Sequence, residues 1–172
     1  KKFKGLSWPA ALSFQATDNL LFYASSSKGY NSGGFAGGTS SDPAQLQPFR
    51  SEKLYAYEAG FKSDLLDRKL RFNAAAFYYD YRDLQVFVFD TSGVLPVQRK
   101  LNAGNAELYG LEIELQAQPS RNFNAFVNAS LLHARYKDFT ALAADDYAGN
   151  KLVNAPEVAI SAGFSRVMSR PL

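Results

Sequence analysis

The sequence predicts an all-β protein, a segment of an antiparallel up-and-down transmembrane β-barrel with about seven long strands. Apolar and polar residues alternate with a period of two along seven segments, and the connections between those segments alternate between short and long. Hydrophobic residues make up 47% of the 172 residues, but no apolar run approaches the roughly 20 residues of a transmembrane helix. A mean hydropathy of −0.24 fits a barrel, because only alternate residues of its strands meet lipid.

The first two predicted strands form a tight hairpin. Leu12, Phe14 and Ala16 alternate with other residues up to a turn at Asp18-Asn19, and the next strand begins at about Leu20. Asp and Asn favour tight turns because their side chains can hydrogen-bond to the nearby backbone. Strands are therefore expected near 10–17 and 20–30.

The later segments show the clearest alternation, as in Tyr109 to Ala117, where five apolar residues alternate with Gly110, Glu112, Glu114 and Gln116. The strands predicted by this pattern are 52–63, 69–88, 105–118, 122–136 and 156–168. Turns at 18–19, 64–68 and 118–122 are short, whereas loops 31–51, 89–104 and 137–155 are long and carry Gly, Ser, Asn, Asp and Pro. Segregated loop lengths and long strands are typical of outer-membrane barrels.

Strand register gives an internal check. When the strands from 69 and 105 are paired so that position numbers add up to 187, Phe72 faces Leu115 and Tyr78 faces Tyr109. Every pair then keeps its face, and the large ring of Phe77 covers Gly110 on the other face. We interpret the tyrosine pair as part of an aromatic girdle at the long-loop end, although a cross-strand pair on a soluble sheet is an alternative.

Seven strands cannot close a barrel by themselves. Open edges in lipid would leave backbone groups unpaired, and single-chain bacterial barrels have an even number of strands, from about 8 upward. The sequence therefore predicts a slice of a larger barrel.

The composition argues against other classes of protein. The chain has no cysteine and one histidine, so we expect neither a disulfide framework nor a metal site, and we favour a structural or girdle role for His133. No nucleophile elbow or phosphate-binding loop is present, so neither an enzyme nor a cofactor is expected. The net charge of +3 is spread along the chain, which does not favour nucleic-acid binding.

Two groups of residues are candidates for function. The polar positions of the alternating strands are expected to line the lumen of the barrel, or on the alternative to solvate the open face of a soluble sandwich; they are Glu58, Lys62, Arg71, Asn73, Glu112, Glu114, Gln116, Asn124 and Asn128. Aromatic and arginine residues in the long loops could contact an anionic chelate or a sugar, with loop packing as the alternative; they are Tyr30, Asn31, Phe35, Phe49, Arg50 and Arg99.

Several motifs, in this order and spacing across nearly the whole chain, resemble the TonB-dependent outer-membrane receptor family. They are Tyr23-Ala24-Ser25 through Lys28-Gly29-Tyr30-Asn31-Ser32-Gly33-Gly34-Phe35, Tyr57-Glu58-Ala59-Gly60-Phe61-Lys62-Ser63, Phe77-Tyr78-Tyr79-Asp80-Tyr81 with Asp83-Leu84-Gln85, Asn102-Ala103-Gly104 with Tyr109-Gly110-Leu111-Glu112, and Asn154-Ala155-Pro156-Glu157.

The resemblance implies a barrel of about 22 strands that encloses an N-terminal plug. It also implies that the receptor lies in the outer membrane of a Gram-negative bacterium. There it would take up a scarce ligand, such as an iron-siderophore, cobalamin or a carbohydrate, using energy relayed by TonB. Residues 1–172 would be part of that single barrel domain, with the plug and the terminal strands absent from this sequence. The expected partners are outer-membrane lipid, TonB through the plug region, and the small-molecule ligand.

The resemblance and the loop lengths together predict an orientation. Short turns should face the periplasm and long loops the outside, with Tyr78, Tyr109 and Tyr136 near the outer interface and Phe61 and Phe72 near the inner one. A soluble all-β binding module, for example for carbohydrate, is the alternative function. That alternative predicts that Leu111, Ile113 and Leu115 pack against a second sheet.

Overall fold

Seven long strands form one antiparallel sheet within the part of the chain that the computed structural model describes, residues 4–35, 47–91, 96–140 and 146–167. These strands are β1 (Trp8–Thr17), β2 (Leu20–Asn31), β5 (Glu52–Leu65), β6 (Leu70–Asp90), β7 (Val97–Ser120), β8 (Phe123–Phe139) and β9 (Val158–Arg166). Their order in the sheet is β1-β2-β5-β6-β7-β8-β9, and two short strands, β3 (Gly34–Phe35) and β4 (Pro48–Phe49), pair separately. The predicted up-and-down topology is confirmed. None of the described residues forms a helix long and apolar enough to cross a membrane.

The short connections lie where the sequence predicted them. Residues 18–19 join β1 to β2, residues 66–69 join β5 to β6, and residues 121–122 join β7 to β8. The middle turn has three consecutive residues in the left-handed region, Leu66, Asp67 and Arg68, with φ of 53°, 54° and 64°. These hairpins hold each pair of neighbouring strands in a fixed register.

The register predicted between β6 and β7 is also confirmed. Phe72 pairs with Leu115, Ala74 with Ile113 and Tyr78 with Tyr109. Above Tyr81 the pairing shifts at two places, first on β6 and then on β7, and it returns to the same register at Gln85 and Asn102. The two bulges therefore cancel in register, while each bulge shifts the alternation of faces on its own strand by one residue.

The predicted loop 89–104 is wrong in most of its length. Strand β6 continues to Asp90 and β7 begins at Val97, so the hairpin extends well beyond the bulges. The sequence around Asn102-Ala103-Gly104 breaks the alternation because the bulge adds a residue there, and this hides the strand. The loop after β8 begins and ends later than predicted, since β8 ends at Phe139 and β9 begins at Val158.

The sheet has almost no core of its own. Among the described residues the buried apolar side chains are Ala103, Ala106, Ala134 and Phe139, all near the bulges, while most large apolar side chains of the strands are exposed. An ordinary soluble domain buries its large aliphatic side chains. The apolar face of this sheet is therefore not covered by other described residues of the chain.

Candidate functional site

One face of the sheet carries aliphatic side chains in continuous cross-strand rows. The row at the centre of the strands runs Phe14, Phe22, Phe61, Ala74, Ile113, Ala129 and Ile160. Leu111 and Ile113 are 48% and 41% exposed, and no second sheet covers them in the described part of the chain. The packing that the soluble alternative predicts is therefore absent from these residues.

Aromatic residues border this apolar face at both ends. Toward the long loops, Tyr57, Tyr78, Tyr109 and His133 form one cross-strand row, with His133 stacked on Tyr109 at 4.5 Å between ring centroids. Toward the short turns, Phe72 lies one row beyond the central row, and its ring contacts that of Phe61 in the central row at 5.3 Å between ring centroids. From Tyr109 to Ala117 the strand has the length that a membrane strand needs, about 9–11 residues.

Tyr136 does not join the tyrosine row. It pairs with Ala106, so it lies on the opposite face, and its ring packs edge-on against Phe139 at 4.7 Å. The expectation for Tyr136 was wrong because Tyr136 is three residues from His133 in an unbroken register, and side chains of a strand alternate between the two faces. The residue of β8 that belongs to the tyrosine row is His133, which pairs with Tyr109.

The other face of the sheet is polar and contains every residue that the sequence proposed for the lumen. Asn73 donates a hydrogen bond to Glu114 (2.9 Å), and Glu112 and Glu114 alternate with Ile113 on the adjacent strand. Tyr23 donates to Glu58 at 2.7 Å, and the Lys62 ammonium lies 5.8 Å from the Tyr23 ring centroid. The remaining members of this set are Arg71, Gln116, Asn124 and Asn128. Several of these residues line a concavity of about 550 Å³.

Aromatic rings cover glycines directly across three strand pairs of this polar face. Phe77 faces Gly110, Tyr23 faces Gly60 and Phe126 faces Gly163. A Cβ atom added at Gly110 would lie 2.8 Å from the Phe77 ring and would also clash with the Leu131 carbonyl. The absence of side chains at these positions lets the rings lie flat on the backbone.

A hydrogen-bonded cluster fixes the base of the first long loop to the extended hairpin. The Asn102 side chain accepts a hydrogen bond from the Arg50 amide (2.6 Å) and donates to the Arg50 and Asp83 carbonyls (3.0 and 2.7 Å). The Arg50 guanidinium binds the Asp83 carboxylate through Nε and Nη2 at 2.9 and 2.6 Å. Gln85 binds Asn31 and the Arg50 carbonyl, at 3.1 and 3.0 Å. We call Asn31, Arg50, Asp83, Gln85 and Asn102 the loop-base cluster.

Two aromatic rings and a cation lie next to this cluster. The Lys100 ammonium is 5.3 Å from the Phe49 ring centroid and 5.5 Å from that of Phe87. Phe87 pairs with Lys100 two positions beyond the Gln85–Asn102 pair, so all four side chains lie on one face of the extended hairpin. A cation beside aromatic rings can hold an anionic or an aromatic group.

The structure brings together only some of the loop residues that the sequence proposed. Asn31, Phe49 and Arg50 belong to the assembly just described. Arg99 pairs with Val88 and so lies on the opposite face of the hairpin. Tyr30 pairs with Lys53 on the face of the aliphatic rows, and Phe35 is exposed on the short β3–β4 hairpin.

Sequence reasoning gave no site role to Asp83, Gln85, Phe87, Lys100 and Asn102. A signal was present for three of them, because Asp83-Leu84-Gln85 and Asn102-Ala103-Gly104 stood among the motifs of the resemblance. Phe87 and Lys100 have no comparable signal, because only the pairing of the extended hairpin makes them neighbours.

Charged groups beyond the tyrosine row are paired at the surface. The Lys151 ammonium donates to Glu157 at 2.7 Å, and this hydrogen bond lowers the pKa of the Glu157 carboxyl. The hydrogen bond from Arg82 to Asp80, also 2.7 Å, raises the pKa of the Arg82 guanidinium. No three metal-ligating side chains come together among the residues described.

A sheet with an apolar face between aromatic borders and a polar opposite face is the arrangement of a segment of an outer-membrane β-barrel. Residues 1–168 match the family described as "TonB dependent receptor-like, beta-barrel". The chain belongs to this family, whose members are β-barrels of the outer membrane of Gram-negative bacteria.

Curated relatives include proteins named "Pesticin receptor" from Yersinia enterocolitica and Yersinia pestis. Each is 25% identical over 160 residues, which is 90% of this chain and 21% of the relative. The chain therefore spans about a fifth of the length of the curated relatives it matches.

Solved structures share the fold at lower identity. The ferric yersiniabactin uptake receptor FyuA from Yersinia pestis matches with a TM-score of 0.73 and 20% identity, over 94% of this chain and 23% of that one. The ferric-catecholate import receptor Fiu from E. coli K12 matches with a TM-score of 0.66 and 21% identity, over 93% and 22%. The FrpB iron transporter from Neisseria meningitidis matches with a TM-score of 0.67 and 17% identity, over 97% and 25%.

Proposed function

We propose that this chain is a segment of the barrel of a receptor that takes up a ferric chelate across the outer membrane with energy relayed by TonB. The match of residues 1–168 to the family carries the proposal. The names of the relatives and neighbours, a pesticin receptor and importers of ferric yersiniabactin and ferric catecholates, favour an iron chelate over cobalamin or a sugar. The plug that would contact TonB belongs, on this proposal, to the rest of the receptor.

The two faces of the sheet support distinct roles in such a receptor. The polar face would line the lumen, where Glu58, Lys62, Asn73 and Glu114 could bind the plug or water. Ligand would be held at the long-loop end of the sheet by the aromatic–cation group of Phe49, Phe87 and Lys100, beside the exposed Arg50. Ferric chelates of siderophores are commonly anionic, and a cation between two rings suits them.

Uptake of labelled iron tests the proposal. The intact receptor would be expressed in a strain that lacks its own ferric-chelate receptors, and ⁵⁵Fe uptake would be measured from ferric yersiniabactin and from a ferric catecholate. We expect uptake of one of these chelates that disappears when TonB is deleted. Recovery of the receptor in the soluble fraction, or uptake that is independent of TonB, would contradict the proposal.

A pair of variants tests the ligand site. Lys100→Gln should weaken ferric-chelate binding about 3- to 10-fold by removing the cation between the rings. Lys69→Gln, an exposed lysine of the turn at the other end of the sheet, is the matched control and should bind as the unaltered receptor does. Equal binding by both variants would exclude the aromatic–cation group from ligand contact.

Single cysteines test the orientation. Ser41, in the first long loop, lies outside the described residues, so Ala148 in the segment between β8 and β9 serves as the loop position. Ala148→Cys should react with an impermeant maleimide in whole cells, and Ser120→Cys at the end of β7 should not. The reverse labelling would invert the proposed orientation.

A further inference from the structure

Basic side chains follow the tyrosine row on the outward, aliphatic face of the sheet. The next row toward the long loops runs Lys28, Tyr55, Asp80, Glu107 and Arg135. One step further, Lys53 pairs with Arg82, and Lys137 reaches the same carboxylates from β8. We call Lys28, Lys53, Arg82 and Lys137 the basic band.

The cations of this band are outermost and its carboxylates lie beneath them. The Asp80 side chain is 11% exposed, whereas those of Arg82 and Lys137, which lie 2.7 and 3.7 Å from its oxygens, are 57% and 44% exposed. Glu107 is likewise more shielded than Lys137, which lies 3.9 Å away. Lys53 lies 3.8 Å from Asp83 and is likewise the more exposed partner, at 44% against 24%. The cations are therefore the groups that this face presents to its surroundings.

An aromatic ring supports two cations of the band. The Lys28 ammonium lies 5.3 Å and the Arg82 guanidinium 4.7 Å from the centroid of the Tyr55 ring. Trp8 pairs with Lys28 on the edge strand and is exposed beside it. Amphipathic rings of this kind lie at the level of lipid headgroups, just outside the hydrocarbon.

We propose that the basic band binds the phosphate groups of lipid headgroups in the membrane leaflet at the long-loop end. The band lies two to four residues beyond the tyrosine row along each strand, where a lipid phosphate would be found if that row marks the hydrocarbon boundary. Cations on neighbouring strands can share one phosphate, and the guanidinium of Arg82 offers paired donors to its oxygens. The inference uses the outer-membrane placement of the proposed receptor but not its iron ligand.

Removal of charge tests the band. The intact receptor in non-ionic detergent would be titrated with diphosphoryl lipid A, and bound lipid would be counted by native mass spectrometry. Combined Lys28→Gln, Lys53→Gln and Lys137→Gln should weaken binding by about tenfold or more, since each basic residue near an anionic headgroup contributes measurably to binding. Dephosphorylated lipid A should bind the unaltered receptor as weakly as diphosphoryl lipid A binds this variant.

The control removes the same charge at the opposite end. Arg68→Gln, Lys69→Gln and Arg121→Gln alter three exposed cations of the short turns and should leave lipid binding unchanged. Equal loss in both triple variants, or no loss in the first, would overturn the proposal. If the first triple variant fails to fold, as judged by heat-dependent migration in gels, Lys28→Glu replaces it and should still weaken binding severalfold. A receptor that binds lipid A in this pattern but imports no ferric chelate would refute the proposed function and leave this inference standing.

Discussion

On strand β7, Ile113 and Glu114 are neighbours in sequence and belong to opposite faces of the sheet. The face of Ile113 has exposed aliphatic rows with aromatic residues at their two ends. The face of Glu114 has hydrogen-bonded polar side chains and rings that lie over glycines. The face of Ile113 is thus suited to contact with lipid, which requires only that its side chains be apolar. The hydrogen-bonded side chains and the ring–glycine contacts lie on the face of Glu114.

A charge on the outward face should produce the largest effect. Ile113→Arg places a guanidinium near the middle of the apolar rows and should destabilise the intact receptor in lipid by about 2–4 kcal/mol. Glu114→Arg, one residue away on the polar face, is the control and should cost much less. Urea unfolding in lipid vesicles measures both variants. Similar losses would mean that the two faces have been assigned incorrectly.

The inward face should be sensitive to bulk rather than to charge. Gly110→Val puts a branched side chain against the Phe77 ring and the Leu131 carbonyl, and we expect a loss of about 1–3 kcal/mol from overpacking. Gly29→Ala is the control, because an added Cβ there would meet nothing within 4 Å. The same unfolding assay applies. An unchanged stability for Gly110→Val would show that the packing of the Phe77 ring does not require a glycine at position 110.

The loop-base cluster should respond more weakly. Asn102→Ala removes three hydrogen bonds to the backbone of Arg50 and Asp83 and should cost about 1 kcal/mol, partly offset by water. Amide exchange at Arg50 should accelerate in this variant. Gln118→Ala, an exposed amide at the other end of β7, should leave that exchange rate unchanged. Exchange at Arg50 that is as slow as in the unaltered receptor would show that another group holds the loop.

The smallest effect is expected where charges lie in water. Lys151→Gln removes the donor that lowers the pKa of Glu157, so this pKa should rise toward its ordinary value. Because the folded pKa is depressed, the stabilisation is present above the unfolded pKa and is lost as pH falls through the folded value. A titration of the Glu157 carboxyl by NMR, in the unaltered receptor and in the variant, measures the shift. Identical titration curves would mean that the ion pair does not persist in solution.

The sequence by itself predicted most of the transmembrane part of the sheet. Alternation at Phe72, Ala74 and Ile113 was enough to predict strand, register and face, because side chains of a strand alternate with a period of two and one face must stay apolar. The covering of Gly110 by Phe77 followed from the same register. Short turns were predicted from their local composition, since turn residues act on their own backbone.

The tertiary structure decided what lies beyond the tyrosine row. Whether residues 97–104 form a strand depends on hydrogen bonds to β6, and the bulges at Asp83 and Ala103 obscured the alternation there. The same pairing placed Lys100 between Phe49 and Phe87 and placed Arg99 on the other face of the hairpin. Contacts between residues about 50 positions apart, such as Arg50 with Asn102, have no local signal, because they arise only when distant strands are aligned.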